Sequence, residues 1–236
     1  MSNTNGSVLW KNETISFVAT GLDNATSNEK TGDMIQTWII RNDIHPVEAI
    51  KQGKDDAICG DCVFRGDGKG KKRGCYVTTV FAPSNIYKSL DNYSGKKSKI
   101  NDSVLRLGAY GDPAFVPYSV IDSVTKRSKK NTGYTHQWRK SFAQDHKQYC
   151  MASVETLEGK EEANKMGWRT FRVTSDLNTK TDDEIFCPAS AEMGKKLTCA
   201  DCGICNGNRT GRKKNVVIMA HGSPVSSGRF SKEIAE

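Results

Sequence analysis

The sequence predicts an α/β fold: a single (β/α) barrel-like domain, complete or partly open, with Cys-rich metal-binding loops. Short apolar runs rich in β-branched residues recur along the chain, and stretches of helical character separate them. The length of 236 residues, with 36% hydrophobic side chains, suits one large domain. Alternating strands and helices favour a parallel sheet with right-handed crossovers. The alternative is an open doubly wound sheet, and both architectures place functional loops at the carboxyl ends of the strands.

The chain begins with an expected N-terminal extension over residues 1–34, in which 8–10 and 14–18 predict a short hairpin. The barrel-like domain is expected over 35–222, followed by a C-terminal tail over 223–236. Apolar runs predict eight strands, at 34–40, 75–80, 104–110, 133–137, 150–154, 168–173, 185–187 and 216–220. Helices are predicted between several of these strands, at 46–52, 117–129, 138–148 and 158–165.

The composition excludes several classes of protein. No apolar run reaches the roughly 18 residues that cross a bilayer, and the polar segment 1–12 lacks a secretory signal pattern. We therefore expect a cytoplasmic protein without a membrane contact. The chain has no phosphate-binding Gly-Lys-Ser/Thr loop, no Gly-x-Ser-x-Gly elbow and no His-Glu-x-x-His helix, which removes the hydrolases that use these motifs.

The net charge is +8, and two basic runs stand next to the cysteines, at 69–73 and 209–214. If both cysteine loops lie on one face, these cations form a landing surface for an acidic partner, such as an electron carrier, or for a nucleic acid. The alternative is that they only offset the negative charge of thiolate-ligated metal centres.

The eight cysteines carry the strongest signal in the sequence, because a Cys-rich cytosolic chain more often holds metal than disulfides. Cys199, Cys202 and Cys205 have the Cys-x2-Cys-x2-Cys spacing that wraps a [4Fe–4S] cube in ferredoxins, whose fourth ligand is remote and lies in a Cys-Pro pair. Cys187 supplies such a pair with Pro188. These four residues predict one [4Fe–4S] cluster, with zinc as the alternative metal.

Cys59, Cys62 and Cys75 form another group, in a glycine-rich and cationic loop typical of a backbone that folds closely around a metal centre. Three thiolates leave a fourth ligand position. Either Cys150 fills this position, in a zinc knuckle or a second cluster, or the position stays open and one iron binds a small molecule. The sequence thus predicts one or two [4Fe–4S] clusters.

Four polar residues at the ends of predicted strands are candidate catalytic residues, because such residues point into the substrate face of a barrel. They are Asp112, His136, Arg172 and His221. For each of them the alternative is a structural hydrogen bond. Arg106 lies earlier in its predicted strand, and the direction of its side chain stays open.

An open three-cysteine cluster after the first barrel strand resembles the radical S-adenosylmethionine enzymes, which implies S-adenosylmethionine as a cofactor. Their usual spacing is Cys-x3-Cys-x2-Cys, whereas this chain has Cys-x2-Cys-x12-Cys. Segments of the chain also resemble a family of bacteriophage proteins, the phage "gene product eighty-eight" type. These segments are 27–32, 59–62 with 74–76, 106–112, 187–188, 198–205 and 215–222. This resemblance covers nearly the whole chain and implies a phage protein made in the cytoplasm of a bacterial host.

Two functions follow from these patterns. The first is a phage-encoded iron–sulfur protein with redox or radical S-adenosylmethionine-like activity, which works with a redox partner. The second is a zinc-stabilised basic protein that binds nucleic acid and has no enzymatic activity. The first would be brown and would bleach with dithionite, whereas the second would be colourless and would bind nucleic acid with a steep salt dependence.

Overall fold

The computed structural model describes residues 2–24, 29–70, 72–190, 193–194 and 197–220. Their strands form two five-stranded sheets in a mixed α/β fold, which confirms the predicted α/β class. The described strands do not close into a barrel. The predicted tail at 223–236 lies outside the described residues. No helix in this part of the chain has the length and apolar character needed to cross a bilayer.

The first sheet contains β1 (Gly6–Lys11), β2 (Ile15–Thr20), β3 (Ile35–Arg41), β4 (Val104–Tyr110) and β5 (Lys130–Thr132), in that order. β1 and β2 form the predicted hairpin, and β2 pairs antiparallel with β3, so the N-terminal segment belongs to this sheet. From β3 to β5 the strands are parallel, as the alternating pattern predicts.

The second sheet is parallel throughout. It contains β6 (Tyr134–Thr135), β7 (Met151–Val154), β8 (Thr170–Thr174), β9 (Glu184–Phe186) and β10 (Asn215–Met219). Its spatial order is β6-β7-β8-β10-β9, so β9 is an edge strand.

Gly133 is the residue between β5 and β6, so one extended stretch of chain belongs to both sheets. A Cβ at this position would lie 2.9 Å from Sγ of Cys150 and 3.1 Å from the carbonyl oxygen of Tyr149, which leaves little room for any residue except glycine. The parallel strands of the two sheets are therefore neighbours in one spatial series. This series runs from β3, through the stretch shared by β5 and β6, to β9.

The helices lie between the strands. They are α1 (Pro46–Lys51), α2 (Asp56–Cys59), α3 (Ala82–Ser89), α4 (Tyr118–Thr125), α5 (Leu157–Lys165) and α6 (Cys199–Cys202). Short 3₁₀ helices occur at Leu90–Asn92, Lys97–Ile100, Pro113–Phe115, Ser141–Gln148 and Leu177–Thr179. The predicted helix at 138–148 is therefore a 3₁₀ helix over most of its length.

The predicted strand at 75–80 is wrong, since residues 72–78 have no regular secondary structure. Its carbonyl groups are satisfied by a side chain rather than by a neighbouring strand. The guanidinium of Arg73 donates to the carbonyl oxygens of Cys75 at 3.0 Å and of Val77 at 2.9 Å. Val80 is exposed, and α3 begins two residues later with Pro83 in its first turn.

The apolar interior is divided into two clusters. The larger one includes Phe17 and Leu105 from the first sheet and Trp138 from the segment after β6. The smaller one lies within the second sheet and includes Cys187 and Cys205. Three of the predicted metal ligands thus lie in buried apolar clusters, since Cys150 belongs to the larger one.

Candidate functional site

A cavity of about 410 Å³ lies against the parallel strands of both sheets. Its volume is within the range of about 300–1,000 Å³ that is typical of small-molecule sites. Residues of β4 to β8 and of β10 contribute to its wall, together with Lys30 and Thr31, which precede β3. Thiols from both cysteine-rich segments reach it: Cys59, Cys62 and Cys75 after β3, and Cys187 and Cys199 between β9 and β10.

The loop around Cys59 is held by side chains from two other segments. Gln137 is buried, and its Nε2 donates to the carbonyl oxygen of Cys59 at 3.0 Å. Gly60 has a φ of +49°, and a Cβ there would lie 2.5 Å from Oε1 of Gln137, so the loop requires glycine at this contact. Arg65 closes the loop by donating to the carbonyl oxygen of Gly60 and to the buried Asp55 carboxylate.

The first cysteine group consists of Cys59, Cys62 and Cys75, whose thiols are electrostatic neighbours. Burial raises the pKa of Cys59 well above its ordinary value, and the charges of Cys62 and Cys75 raise it further. Burial also raises the pKa of Cys75. Arg73 opposes both shifts because its positive charge favours a thiolate. Metal coordination is the usual way in which buried thiols of this kind become thiolates.

His136 lies beside the first cysteine group. Its ring is an electrostatic neighbour of Cys62, and its Nε2 lies 3.2 Å from Oε1 of Glu155. Phe64 packs edge-on against the ring with 5.5 Å between the centroids, and the backbone N–H of His136 donates to the Asp112 carboxylate at 2.8 Å. Burial lowers the pKa of His136, but Cys62 and Glu155 outweigh it and hold this pKa well above its ordinary value.

Local hydrogen bonds define the short helix α6. Thr198 and Asp201 form a capping box, in which each side chain accepts a backbone N–H of the other residue. At the other end of α6, Nζ of Lys130 donates to the carbonyl oxygen of Asp201 at 3.0 Å. The helix begins at Cys199 and ends at Cys202, so the first two cysteines of the motif are separated by one helical turn.

The second cysteine group consists of Cys187, Cys199, Cys202 and Cys205. Every pair among these four thiols interacts electrostatically. Burial raises the pKa of Cys187, Cys199 and Cys205. Lys30 opposes the shifts at Cys187 and Cys199, and Arg106 opposes the shift at Cys199. The four thiols are therefore electrostatic neighbours, with Lys30 and Arg106 close to two of them. Their joint ligation of a metal stays a prediction.

A buried guanidinium supports the chain around Cys205. Arg169 is 4% exposed and donates to the carbonyl oxygens of Gly207 at 2.7 Å and of Lys214 at 2.7 and 3.0 Å. Within the described part of the chain, no carboxylate forms an ion pair with it. Burial lowers the pKa of Arg169, and the charge of Cys205 raises it. The cysteine group is thus an electrostatic partner of this cation.

Cys150 lies apart from both cysteine groups. It directly precedes β7, is buried in the larger apolar cluster and does not line the cavity. Burial raises the pKa of its thiol, and the Asp112 carboxylate raises it further. The other seven cysteines form the two groups described above, so Cys150 is placed as a core residue.

The structure describes Asp112, one of the candidate catalytic residues, but not His221. Asp112 lines the cavity, but each of its carboxylate oxygens accepts a backbone N–H, from Ala114 at 3.0 Å and from His136 at 2.8 Å. Asp112 therefore forms structural hydrogen bonds, which was the alternative to a catalytic role. His221 lies outside the described residues.

Arg172 does not point into the cavity. Its neighbours Phe171 and Val173 line the cavity, and alternate residues of a strand point to opposite faces. The guanidinium of Arg172 is buried on the other face of β8, where it donates to the Glu184 carboxylate at 2.7 and 2.8 Å. The prediction that Arg172 faces a substrate is therefore wrong, because its guanidinium forms a buried ion pair with Glu184.

The described residues of the two basic runs occupy different places. Arg73, from the first run, lines the cavity, and Lys71 lies outside the described residues. Arg209, from the second run, donates to Ser128 and Asn131 at the amino end of β5, and Lys214 directly precedes β10. The described cations of the second run therefore do not share the cavity wall with Arg73, and a landing surface built from both runs stays a prediction.

Sequence analysis missed two residues of the site and left a third open. Gln137 gives no signal in the sequence, because only tertiary packing places it on the Cys59 loop. Tyr134 is an electrostatic neighbour of Cys205, and its period-two spacing with the candidate His136 was a usable signal. Arg106 points into the cavity and donates to Gln36 at 3.3 Å and to Tyr76 at 2.9 Å.

Within the described residues, no three or more His, Cys, Asp or Glu side chains stand in positions that hold a metal ion. All eight cysteines are free of disulfides. Comparisons of the chain with protein-family models, with curated proteins and with solved structures found no match.

Proposed function

We propose that this chain is a phage-encoded iron–sulfur protein of redox type, which acts in the cytoplasm of a bacterial host. A [4Fe–4S] cluster is bound by the second cysteine group, and a further metal centre is bound by the first. The observation that carries the proposal is that thiols of both groups line one cavity. When bound, such clusters supply one-electron transfer. The finer alternative, radical S-adenosylmethionine-like chemistry, requires an iron with an open position at the first group.

The donor set of the second group suits a four-thiolate cluster. Its thiols are mutual neighbours, and Lys30 and Arg106 favour their ionised forms. Tyr134 is an electrostatic neighbour of Cys205, and polar groups beside ligating sulfurs tune the potential of a bound cluster. These contacts support a site that holds negative charge in an apolar setting.

The cavity suits an anionic small molecule. Its charged lining includes Lys30, Arg73 and Arg106, against the Asp112 carboxylate, whose oxygens are already engaged by backbone donors. Arg106 keeps three of its five N–H groups free of acceptors from the described residues. A guanidinium of this kind matches a carboxylate or phosphate with two parallel hydrogen bonds.

We also propose that the strands form a partly open barrel around the cavity. β3 and β9 stand at opposite ends of the parallel strand order, yet the loops that follow both of them reach the cavity. The N–H of Cys199 donates to the carbonyl oxygen of Lys30 at 2.9 Å, close to the start of β3. These contacts support a strand array whose ends curve toward each other.

The test is metal and sulfide analysis of anaerobically purified protein, with Cys202→Ala compared with Cys150→Ala. Cys202→Ala should lose about four irons per chain, whereas Cys150→Ala, which also removes a cysteine but from the core, should retain them. Full iron content in Cys202→Ala would overturn the assignment. Zinc without sulfide, together with salt-dependent binding of DNA or RNA, would support the zinc-stabilised nucleic-acid-binding protein instead.

A further inference from the structure

We propose that His136 is the fourth ligand of the metal centre held by Cys59, Cys62 and Cys75, which gives this centre a Cys3His ligand set. The inference rests on the proposed function, because it completes a centre that the function requires. It replaces both alternatives for the fourth position, namely Cys150 and a small molecule.

The imidazole of His136 lies near the thiols of the first cysteine group. His136 lines the same cavity as Cys59, Cys62 and Cys75. Its ring is an electrostatic neighbour of Cys62 and of Cys75. Histidine is a common ligand of zinc and replaces cysteine at some iron–sulfur clusters.

Neighbouring residues hold the His136 ring in place. Metal-ligating histidines almost always donate the second ring N–H to a carboxylate or carbonyl, which fixes the ring and its tautomer. Nε2 of His136 lies 3.2 Å from Oε1 of Glu155, which leaves Nδ1 for the side of the thiols. Phe64 packs against the ring, and Asp112 holds the backbone of His136. The imidazole is therefore positioned from three sides.

The rival ligand is placed differently. Cys150 is buried in the larger apolar cluster before β7, whereas the first cysteine group follows β3 at the carboxyl ends of the strands. His136 is half-buried, whereas His146 is buried and has no thiol partner among the described residues. Its Nε2 lies 3.0 Å from the carbonyl oxygen of Val116, and its ring packs against Tyr118. His146 is thus a matched control for His136.

A Cys3His set has a chemical consequence. Ligation forms three metal–sulfur bonds and one metal–nitrogen bond, and the three thiol protons leave to solvent. No ligand position then remains for S-adenosylmethionine, which favours the redox alternative over radical chemistry. Imidazole ligands also raise the reduction potential of an iron–sulfur centre relative to thiolates.

The experiment uses the full chain, prepared anaerobically with ¹⁵N-labelled histidine, and pulsed EPR of the reduced protein. The wild type should show a ¹⁵N coupling. His136→Cys should keep its metal, lose this coupling and have a lower reduction potential. His136→Ala should lose the metal of the first centre only, and Glu155→Gln should lose it to a chelator about tenfold faster. His146→Ala should match the wild type in ¹⁵N coupling, metal content, reduction potential and the rate of metal loss to a chelator.

The variant Cys75→Ala distinguishes a failure of the His136 ligand assignment from a failure of the proposed first centre. If Cys75→Ala loses metal but His136→Ala does not, or if the ¹⁵N coupling persists in His136→Cys, the ligand assignment is wrong while the centre itself stands. Equal metal loss in Cys150→Ala and Cys75→Ala would assign the fourth position to Cys150 and would also overturn the inference. If Cys75→Ala loses no metal, the first centre does not exist and that part of the proposed function fails.

Discussion

The buried ion pair between Arg172 and Glu184 gives the clearest quantitative prediction for stability. The side chains are 2% and 0% exposed, and two hydrogen bonds of 2.7 and 2.8 Å join them. Glu184→Gln keeps the shape but leaves the guanidinium without a countercharge and directs an amide N–H₂ toward it. Breaking a buried pair in this way costs about 3–5 kcal/mol. With a urea m-value of about 3 kcal/mol/M, the unfolding midpoint should fall by about 1–2 M.

An exposed ion pair of the same chemistry is the control. Arg139 and Glu162 form a hydrogen-bonded pair whose side chains are 54% and 49% exposed. Glu162→Gln should therefore cost no more than about 1 kcal/mol. Both variants should be compared at equal metal content. Equal midpoints for the two variants would refute the view that Arg172 and Glu184 are a structural pair, and would return Arg172 to the catalytic candidates.

The pH dependence of this difference has a definite sign. Burial raises the pKa of Glu184, but Arg172 and Thr181 lower it more, so this pKa lies below its ordinary value. A carboxylate with a depressed pKa in the folded state contributes stability above its unfolded pKa, about 4.3 for Glu, and loses it as the pH falls through the folded value. The midpoint difference between wild type and Glu184→Gln should be full at pH 7 and should shrink below about pH 4.

Three further predictions concern the site. Gln137→Leu removes the donor to the Cys59 carbonyl, so the first centre should lose metal to a chelator faster than in the wild type; equal rates would contradict this role. Thr198→Ala should lower the free energy of unfolding by about 1 kcal/mol because it removes the capping box, and Thr198→Ser should restore it. Arg106→Gln should weaken binding of 2-naphthoate about tenfold without affecting the neutral 2-naphthalenemethanol, whereas equal losses would argue against an oxyanion contact.

The repeating β-branched runs were sufficient to predict the α/β class, because each buried strand must present apolar residues to a core. Their pattern does not report which strands pair, so the division into two sheets at Gly133 had to come from the structure. The run at 75–80 failed for a specific reason. Arg73 satisfies the carbonyl groups that a neighbouring strand would otherwise have engaged, and apolar periodicity contains no information on such a side chain.

The cysteine groups could be proposed from the sequence because ligand spacing is local. Cys199, Cys202 and Cys205 lie within seven residues, and the helix that contains Cys199 and Cys202 begins with its own capping box. Long-range partners were not predictable in the same way. The pairing of Arg172 with Glu184 depends on which face of β8 is buried, and the location of the second basic run depends on the end of the sheet at which it lies.

Two buried arginines of the second sheet, compared with each other, point to the charge state of the second cysteine group. Arg172 has the Glu184 carboxylate as its countercharge, whereas Arg169 donates to carbonyl oxygens and has Cys205 as its electrostatic neighbour. A buried guanidinium without a countercharge is costly, whereas burial raises the pKa of the Cys205 thiol and so favours its neutral form. Ligation to the proposed metal would offset both costs, because it would turn the buried thiol into a thiolate beside the cation. The position of Arg169 therefore supports the proposed metal at this group independently of the cysteine spacing.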